Sequence, residues 1–132
     1  MDIEEAVLIE LARRAREVSR YAWAPYSKFA VGAAVLTDDG AIYDGTNVEN
    51  VSYGLSICAE RSAVFQAIAH GARSIVAIAV YTPTPQATPP CGACRQVVAE
   101  FGPDALVICG TDDAKAERRF RLGELQIGRA HV

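Results

Sequence analysis

The 132-residue sequence lacks an excess of basic residues, and it lacks any apolar run long enough to span a bilayer. It has 13 Lys and Arg against 16 Asp and Glu, a formal net charge of -3. A nucleic-acid surface needs a basic stripe that displaces counterions, so this balance disfavours a polynucleotide partner. The N-terminal residues show no secretory or transit signal, and we therefore expect no membrane partner. Internal repeats and low-complexity segments are also missing, which favours one domain.

Histidine is scarce, with two residues, whereas there are four cysteines. Without a secretory signal, cysteines indicate a reducing compartment, and we expect a cytoplasmic protein. In that setting a Cys-x-x-Cys pair is typical of metal or redox chemistry rather than of a disulfide. The 51% hydrophobic content is enough for one core without such cross-links.

Hydrophobic periodicity predicts the element order α-β-β-α-β-α-β-β. The predicted helices cover residues 2–20, 58–70 and 92–101, and the predicted strands cover 29–36, 41–45, 75–81 and 106–109, with a further strand near Phe120. Asp2 and Glu5 form a predicted capping box, and Asp38 to Gly40 a predicted hairpin turn. The alternation of strands and helices indicates a partly parallel sheet, on which ligands bind beyond the carboxyl ends of strands.

Three cysteines lie at the starts of two predicted helices. Cys58 begins one of them, and Cys91 and Cys94 begin the other. Helix N-termini carry unpaired N–H groups and partial positive charge, which stabilise thiolates. Three thiolates leave the fourth tetrahedral position of Zn²⁺ open, as in catalytic rather than structural zinc sites. The sequence therefore predicts one Zn²⁺ per chain.

Charged residues accompany both cysteine motifs. Glu60 lies two residues after Cys58 and is placed to carry a proton of a zinc-activated water. Three thiolates give the zinc centre a formal charge of about -1, by the charge of its ligands. Arg61 and Arg95 would offset this charge by hydrogen bonding to sulfur.

The residues alone also allow other interpretations. Cys91 and Cys94 fit a redox pair, and a closed structural zinc site would need Cys109 or a histidine as its fourth ligand. Cys109 lies in an apolar strand, where cysteine behaves as a small hydrophobic residue. The histidines lie at the far end of a predicted helix and in the C-terminal tail. Glu60 by itself would suit the first turn of any helix.

Four segments, in order, resemble cytidine deaminases of the small, zinc-dependent, homotetrameric type. They are 26–34 (YSKFAVGAA), 47–50 (NVEN), 58–63 (CAERSA) and 91–97 (CGACRQV). The resemblance extends over about residues 5–125. It implies an α/β fold of three layers, α-β-α, with a five-stranded mixed sheet and helices on both faces. It also implies a small-molecule nucleoside substrate and a homotetramer.

The resemblance assigns roles to the metal and proton-transfer residues. It implies that Cys58, Cys91 and Cys94 bind zinc and that Glu60 shuttles protons. It also implies that Arg61 partly neutralises the negative charge of the thiolates.

It also assigns substrate contacts. Phe29 would pack against the pyrimidine, Asn47 and Glu49 would bind the ribose hydroxyls, Ala59 would line the substrate site, and Tyr53 would reach toward a neighbouring subunit's site. Without the resemblance, Phe29 would suit core packing, and Asn47 and Glu49 a solvated loop.

The implied reaction is hydrolytic deamination of cytidine and 2′-deoxycytidine to the corresponding uridines and ammonia, a step of pyrimidine salvage. Glu60 would protonate N3 of the ring and then the departing amine. The alternatives are a zinc deaminase of another amino-substituted base or of a polynucleotide, and a non-catalytic zinc-binding module with four protein ligands. The preference between cytidine and deoxycytidine is not readable from these residues.

The C-terminal residues depart from the resemblance. After residues 122–125 the family continues with Leu-Pro and ends near an aromatic residue, whereas this chain continues QIGRAHV over 126–132. We expect residues 1–125 to form the deaminase domain and 126–132 to be non-native, because they resemble a translated sequencing adapter. A divergent, frayed terminus is the alternative. Resequencing the locus distinguishes the two.

Overall fold

A five-stranded mixed sheet lies at the centre of the structure, a computed structural model that describes residues 2–125. The helices are α1 (Glu5–Val18), α2 (Ala59–Ala69), α3 (Gly92–Phe101) and the short α4 (Leu122–Leu125). The strands are β1 (Gly32–Thr37), β2 (Ile42–Thr46), β3 (Ile75–Tyr81), β4 (Leu106–Gly110) and β5 (Arg118–Arg121). The predicted non-native tail lies outside the described residues.

The strands are ordered β2-β1-β3-β4-β5 across the sheet. Only β3 and β4 run parallel, with Ala79 opposite Ile108, and the other neighbours pair antiparallel. The hairpin between β1 and β2 turns through Gly40, whose φ of 88° is available to glycine without strain. The predicted element order and the partly parallel sheet are confirmed.

Helices cover both faces of the sheet, as expected. On one face, Leu8, Leu11 and Ala15 recur at helical spacing along α1 and pack against Ala34 and Ile108. The other face packs against α2 and α3. Its buried side chains include Ala33, Val35, Ala63, Val64, Ala67, Ile78, Val98 and Val107. The two hydrophobic clusters make three layers, α-β-α.

Four strands begin or end side by side at one edge of this layered structure. Gly32 at the start of β1 lies opposite Tyr81 at the end of β3, and Tyr81 lies opposite Gly110 at the end of β4. Thr46 at the end of β2 also lies opposite Gly32. The first residues of α2 and α3 follow loops that leave the strands, so this edge is where an α/β sheet is expected to bind ligands.

Two further features concern the first helix and the membrane. The predicted capping box is wrong: Glu4 is the N-cap of α1, no side chain caps it, and the amides of Val7 and Leu8 bond to the Glu4 carbonyl oxygen. Across residues 2–125, no helix has the length and hydropathy needed to cross a membrane.

The contact between α1 and the sheet depends on Gly32. A Cβ atom at Gly32 would lie 1.9 Å from the carbonyl oxygen of Ala15, far inside van der Waals contact. Both groups belong to the backbone, so neither can move without shifting α1 or β1. The position therefore requires glycine because of close approach, not because of its φ angle.

We predict that Gly32→Ala lowers the free energy of unfolding by about 2–3 kcal/mol, because the added methyl group overpacks the α1–β1 contact. Gly54→Ala is the control, since nothing lies within 4 Å of a Cβ built there. Urea unfolding followed by circular dichroism measures both. Equal stability of the two variants would contradict the packing argument.

Candidate active site

Three cysteine sulfurs converge at this edge of the sheet. The Sγ atoms of Cys58, Cys91 and Cys94 all lie within 4.8 Å of one another, and those of Cys91 and Cys94 are 3.3 Å apart. Tetrahedral zinc with Zn–S bonds of about 2.3 Å separates its sulfurs by about 3.8 Å. The spacing of the sulfurs therefore fits a single zinc ion.

The three sulfurs belong to residues at the starts of α2 and α3. Cys58 is the N-cap of α2 and Cys91 is the N-cap of α3, while Cys94 lies in the first turn of α3. Their backbone carbonyls begin the helices by accepting from the amides of Ser62 and Arg95. Neither N-cap sulfur caps a backbone amide of its own helix, so the helix starts do not occupy the sulfurs that a metal would need.

Hydrogen bonding moves the pKa values of Cys58 and Cys94 in opposite directions. Contacts from the Cys94 thiol, followed by the Arg61 guanidinium, lower the pKa of Cys58 to about 5. The same contact with Cys58, together with burial, raises the pKa of Cys94. A dication held among the sulfurs favours the thiolate form of each.

Arg61, which is predicted to offset the negative charge of the thiolates, lies beside the cysteine cluster. Arg61 Nη2 donates to the Sγ of Cys58 across 3.2 Å, so the guanidinium contributes positive charge beside the cluster. Arg95 lies next to Cys94 on α3, and its contact with a sulfur stays a prediction.

The fourth cysteine stands apart from the cluster. Cys109 lies on β4, is 1% exposed, and belongs to the hydrophobic core beneath α2 and α3. Burial raises the pKa of this thiol to about 12, as expected of a structural cysteine. Within residues 2–125, no fourth Cys, His, Asp or Glu joins the cluster, so no fourth protein ligand is placed to close a zinc site.

A cavity of about 250 Å³ opens beside the cluster. Cys58, Ala59, Glu60 and Cys91 form one part of its wall. Phe29, at 37% exposure, lines the same cavity instead of packing in the core. The cavity thus combines a metal site, an aromatic surface and a carboxyl group, as a site for a small planar ligand requires.

Glu60 is the one buried acid at this site. The side chain is 6% exposed on the first turn of α2, and burial raises the pKa of its carboxyl group. Burial favours the neutral form of this carboxyl group, so it holds a proton more readily than an exposed glutamate does, as suits a general acid–base. A first-turn acid that only balanced the helix dipole would be expected at the surface.

The two predicted ribose ligands contact the protein backbone. Asn47 lines the cavity, and its amide group donates to the Phe29 carbonyl oxygen at 2.7 Å and accepts from the Val31 amide at 2.9 Å. Glu49 accepts from the Ser27 hydroxyl and from the amides of Tyr26 and Ser27, and these bonds lower the pKa of its carboxyl group.

Glu49 and Tyr53 line a different cavity from the one beside the cysteines. This second cavity is about 350 Å³ in volume and also includes Tyr26, Ser27, Asn50 and Ser56. Tyr53 is 86% exposed and is absent from the wall of the cavity beside the cysteines. Its predicted role toward a neighbouring subunit stays a prediction.

Several residues lining the first cavity were absent from the sequence prediction. They are Val31, Val80, Thr82, Thr88 and Pro89. Thr82 directly follows the carboxyl end of β3, so the rule that ligands bind beyond strand ends could have found it. Thr88 and Pro89 lie in a proline-rich loop without period, and no sequence signal places them in the cavity wall.

A comparison with family models decides the family. The model described as "Cytidine and deoxycytidylate deaminase zinc-binding region" matches residues 6–110. The chain belongs to this family. The matched region includes the start of β1, both cysteine motifs and the whole of β3. It therefore covers the residues of the site as well as the surrounding fold.

Relatives of this deaminase chain match its sequence along most of its length. A cytidine deaminase of Halalkalibacterium halodurans is 52% identical over 94% of this chain and 83% of the relative. One from Mycobacterium tuberculosis is 45% identical over 87% of this chain and 83% of the relative. The crystal structure of cytidine deaminase from Burkholderia pseudomallei superimposes with a TM-score of 0.85 and 43% identity, covering 93% of this chain and 96% of that one.

We predict that Cys91→Ala leaves the deaminase chain with well under one zinc per chain, because two thiolates hold zinc far more weakly than three. Cys91 is exposed, so the substitution removes a ligand without opening a cavity in the core. Metal analysis after gel filtration measures the ratio.

Cys109→Ala is the matched control and should keep one zinc per chain, since Cys109 lies outside the cluster. Full zinc content in Cys91→Ala, or loss of zinc from folded Cys109→Ala, would contradict the proposed ligand set.

Proposed function

We propose that this chain is a zinc-dependent cytidine deaminase that converts cytidine and 2′-deoxycytidine into the corresponding uridines and ammonia. The observation that carries the proposal is the placement of a buried carboxyl group, Glu60, beside three converging thiols in a cavity lined by Phe29. The family membership and the relatives named above support the same reaction.

Cys58, Cys91 and Cys94 would hold the zinc ion. When bound, zinc acts as a Lewis acid that lowers the pKa of a water molecule toward neutrality. Arg61 keeps the three-thiolate centre from becoming too negative for that task, through its bond to Cys58.

Glu60 would carry both protons of the reaction. Its carboxylate takes a proton from the water whose oxygen bonds to C4 of the cytosine ring, and it returns that proton to N3. It then takes the proton of the new C4 hydroxyl group and delivers it to the amino group, the C4–N bond breaks as the C4=O bond forms, and ammonia leaves. The raised pKa of the buried carboxyl group suits this exchange, because burial makes the protonated form easier to reach than at an exposed glutamate.

The cavity wall would orient the base. Phe29, Val31 and Val80 supply apolar surface for the pyrimidine ring. Asn47 and Glu49 would bind the ribose hydroxyls through hydrogen-bonding capacity that their backbone contacts leave unused. Ala59 is the first residue of α2, where a backbone N–H has no intrahelical acceptor and can bond to the ligand.

Exposed apolar side chains favour assembly into a homotetramer. Val48, Val51, Tyr53 and Leu55, in the loop before α2, are 47–86% exposed, and Phe65 on α2 is 49% exposed. Apolar surface of this kind on one segment is typical of a protein–protein interface.

We predict that gel filtration with light scattering gives a mass close to four times the chain mass of 14.1 kDa. Assembly would bury the exposed apolar side chains of the 48–55 loop. A mass equal to one chain at micromolar concentration would contradict the tetramer.

A cytoplasmic location is also proposed, because the three cluster thiols must stay reduced to bind zinc. Deaminase activity confined to the membrane or extracellular fraction of the source cells would contradict it.

We predict that the purified, zinc-loaded chain converts cytidine to uridine, followed by ultraviolet absorbance, and that Glu60→Gln lowers kcat by at least about 10²-fold. The loss follows because glutamine keeps the shape of the side chain but cannot transfer a proton. Zinc content and melting temperature should change little.

Glu100→Gln on α3 is the control, since Glu100 is exposed and lies outside the cavity. Absence of turnover in the zinc-loaded wild-type chain would overturn the proposed function. Substantial turnover by Glu60→Gln would overturn the role of Glu60.

A further inference from the structure

The segment that leads into β1 contains a left-handed residue. Lys28 has a φ of 61°, and it is the only non-glycine residue with positive φ among residues 2–125. A side chain at such a φ is strained, and the conformation persists only where surrounding contacts enforce it. Phe29, the aromatic residue of the cavity, follows directly.

Ser27, which directly precedes the strained Lys28, makes several hydrogen bonds. Its hydroxyl donates to a carboxylate oxygen of Glu49 and accepts from the amide of Phe29 at 3.0 Å. Its own amide donates to Glu49 at 3.1 Å, beside the amide of Tyr26 at 3.0 Å. One hydroxyl therefore joins the carboxylate of Glu49 to the backbone of Phe29.

Asn47 makes hydrogen bonds to the residues that follow Lys28. Its Nδ2 atom donates to the Phe29 carbonyl oxygen, and its Oδ1 atom accepts from the Val31 amide. The backbone of Phe29 is thus bonded at its N–H by Ser27 and at its C=O by Asn47. These bonds fix where the Phe29 ring meets the cavity.

We propose that Ser27 is a positioning residue of the nucleoside site, whose hydroxyl holds the left-handed turn at Lys28 and so sets Phe29 and Glu49 in their binding positions. The inference rests on the proposed function, because it concerns the substrate site of that same reaction. Ser27 is absent from the wall of the cavity beside the cysteines and lines the second cavity with Glu49, so it acts at the first cavity through Phe29.

The hydrogen bond to Glu49 is charge-assisted, and charge-assisted bonds contribute more than neutral ones. Loss of the Ser27 hydroxyl removes this bond and also the acceptor for the Phe29 amide. Both losses loosen groups that bind substrate, whereas the cysteines and Glu60 stay where α2 and α3 place them. The expected effect is therefore on binding and not on the chemical step.

Ser27→Ala should raise the KM for cytidine by about 10-fold, the usual size for a lost hydrogen bond to a charged group, and should keep kcat within about twofold. Ser27→Thr should restore a KM close to wild type, because it keeps the hydroxyl and the exposed position has room for a methyl group. Steady-state kinetics with cytidine, zinc content and melting temperature are measured for each variant.

Ser74→Ala, at the opposite end of β3, is the control and should keep wild-type KM. An unchanged KM in Ser27→Ala would overturn the inference while leaving the function intact. A parallel loss of kcat and melting temperature that Ser27→Thr does not repair would also overturn it, since that pattern is purely structural. Inactive wild-type protein would instead overturn the function on which the inference rests.

Discussion

The convergence of two helix N-termini on one point governs this structure. Cys58 begins α2 and Cys91 begins α3, and their sulfurs meet that of Cys94 within 4.8 Å. Unpaired N–H groups and partial positive charge at both helix starts favour the negative charge that three thiolates bring. The site can exist only if the sheet holds both helices at a fixed mutual position.

The packing of the sheet supplies that fixed position through small residues. Gly45 on β2 would place a Cβ atom 2.6 Å from Ser62 and Ala63, so α2 lies directly against the strand. Gly102, the C-cap of α3, would place a Cβ atom 2.2 Å from the carbonyl oxygen of Ile75 at the start of β3. Because the backbones touch, small shifts of either helix are resisted, and the cavity beside α2 keeps its shape.

The chemistry follows from what surrounds the thiols. Arg61 places a positive charge against Cys58, while Glu60, one residue earlier, is buried and has a raised pKa. Adjacent residues of one helical turn are thus placed for the charge compensation and the proton transfer that we propose. Phe29 and Asn47 line the same cavity, Phe29 in the segment before β1 and Asn47 directly after β2.

Much of this arrangement was predictable from the sequence. Apolar periodicity predicted the strands and helices, and the spacing of Cys58, Cys91 and Cys94 at helix starts predicted the cluster. Local patterns failed at the start of α1, where no side chain caps the helix and the expected capping box is absent.

Long-range contacts were not predictable in the same way. The bonds that link Glu49 to Ser27 and Asn47 to Phe29 join residues 22 and 18 positions apart. The entry of Thr88 into the cavity depends on the path of an irregular loop. Periodicity carries no information on either, because both depend on how separate segments fold against each other.

The central claim is that three sulfurs bind zinc and leave one position open for water. Zinc K-edge X-ray absorption on the purified, zinc-loaded protein tests it most directly. The account predicts three sulfur neighbours at about 2.3 Å and one oxygen or nitrogen neighbour at about 2.0 Å. Four sulfur neighbours would contradict the account, because a closed coordination shell has no place for a reacting water.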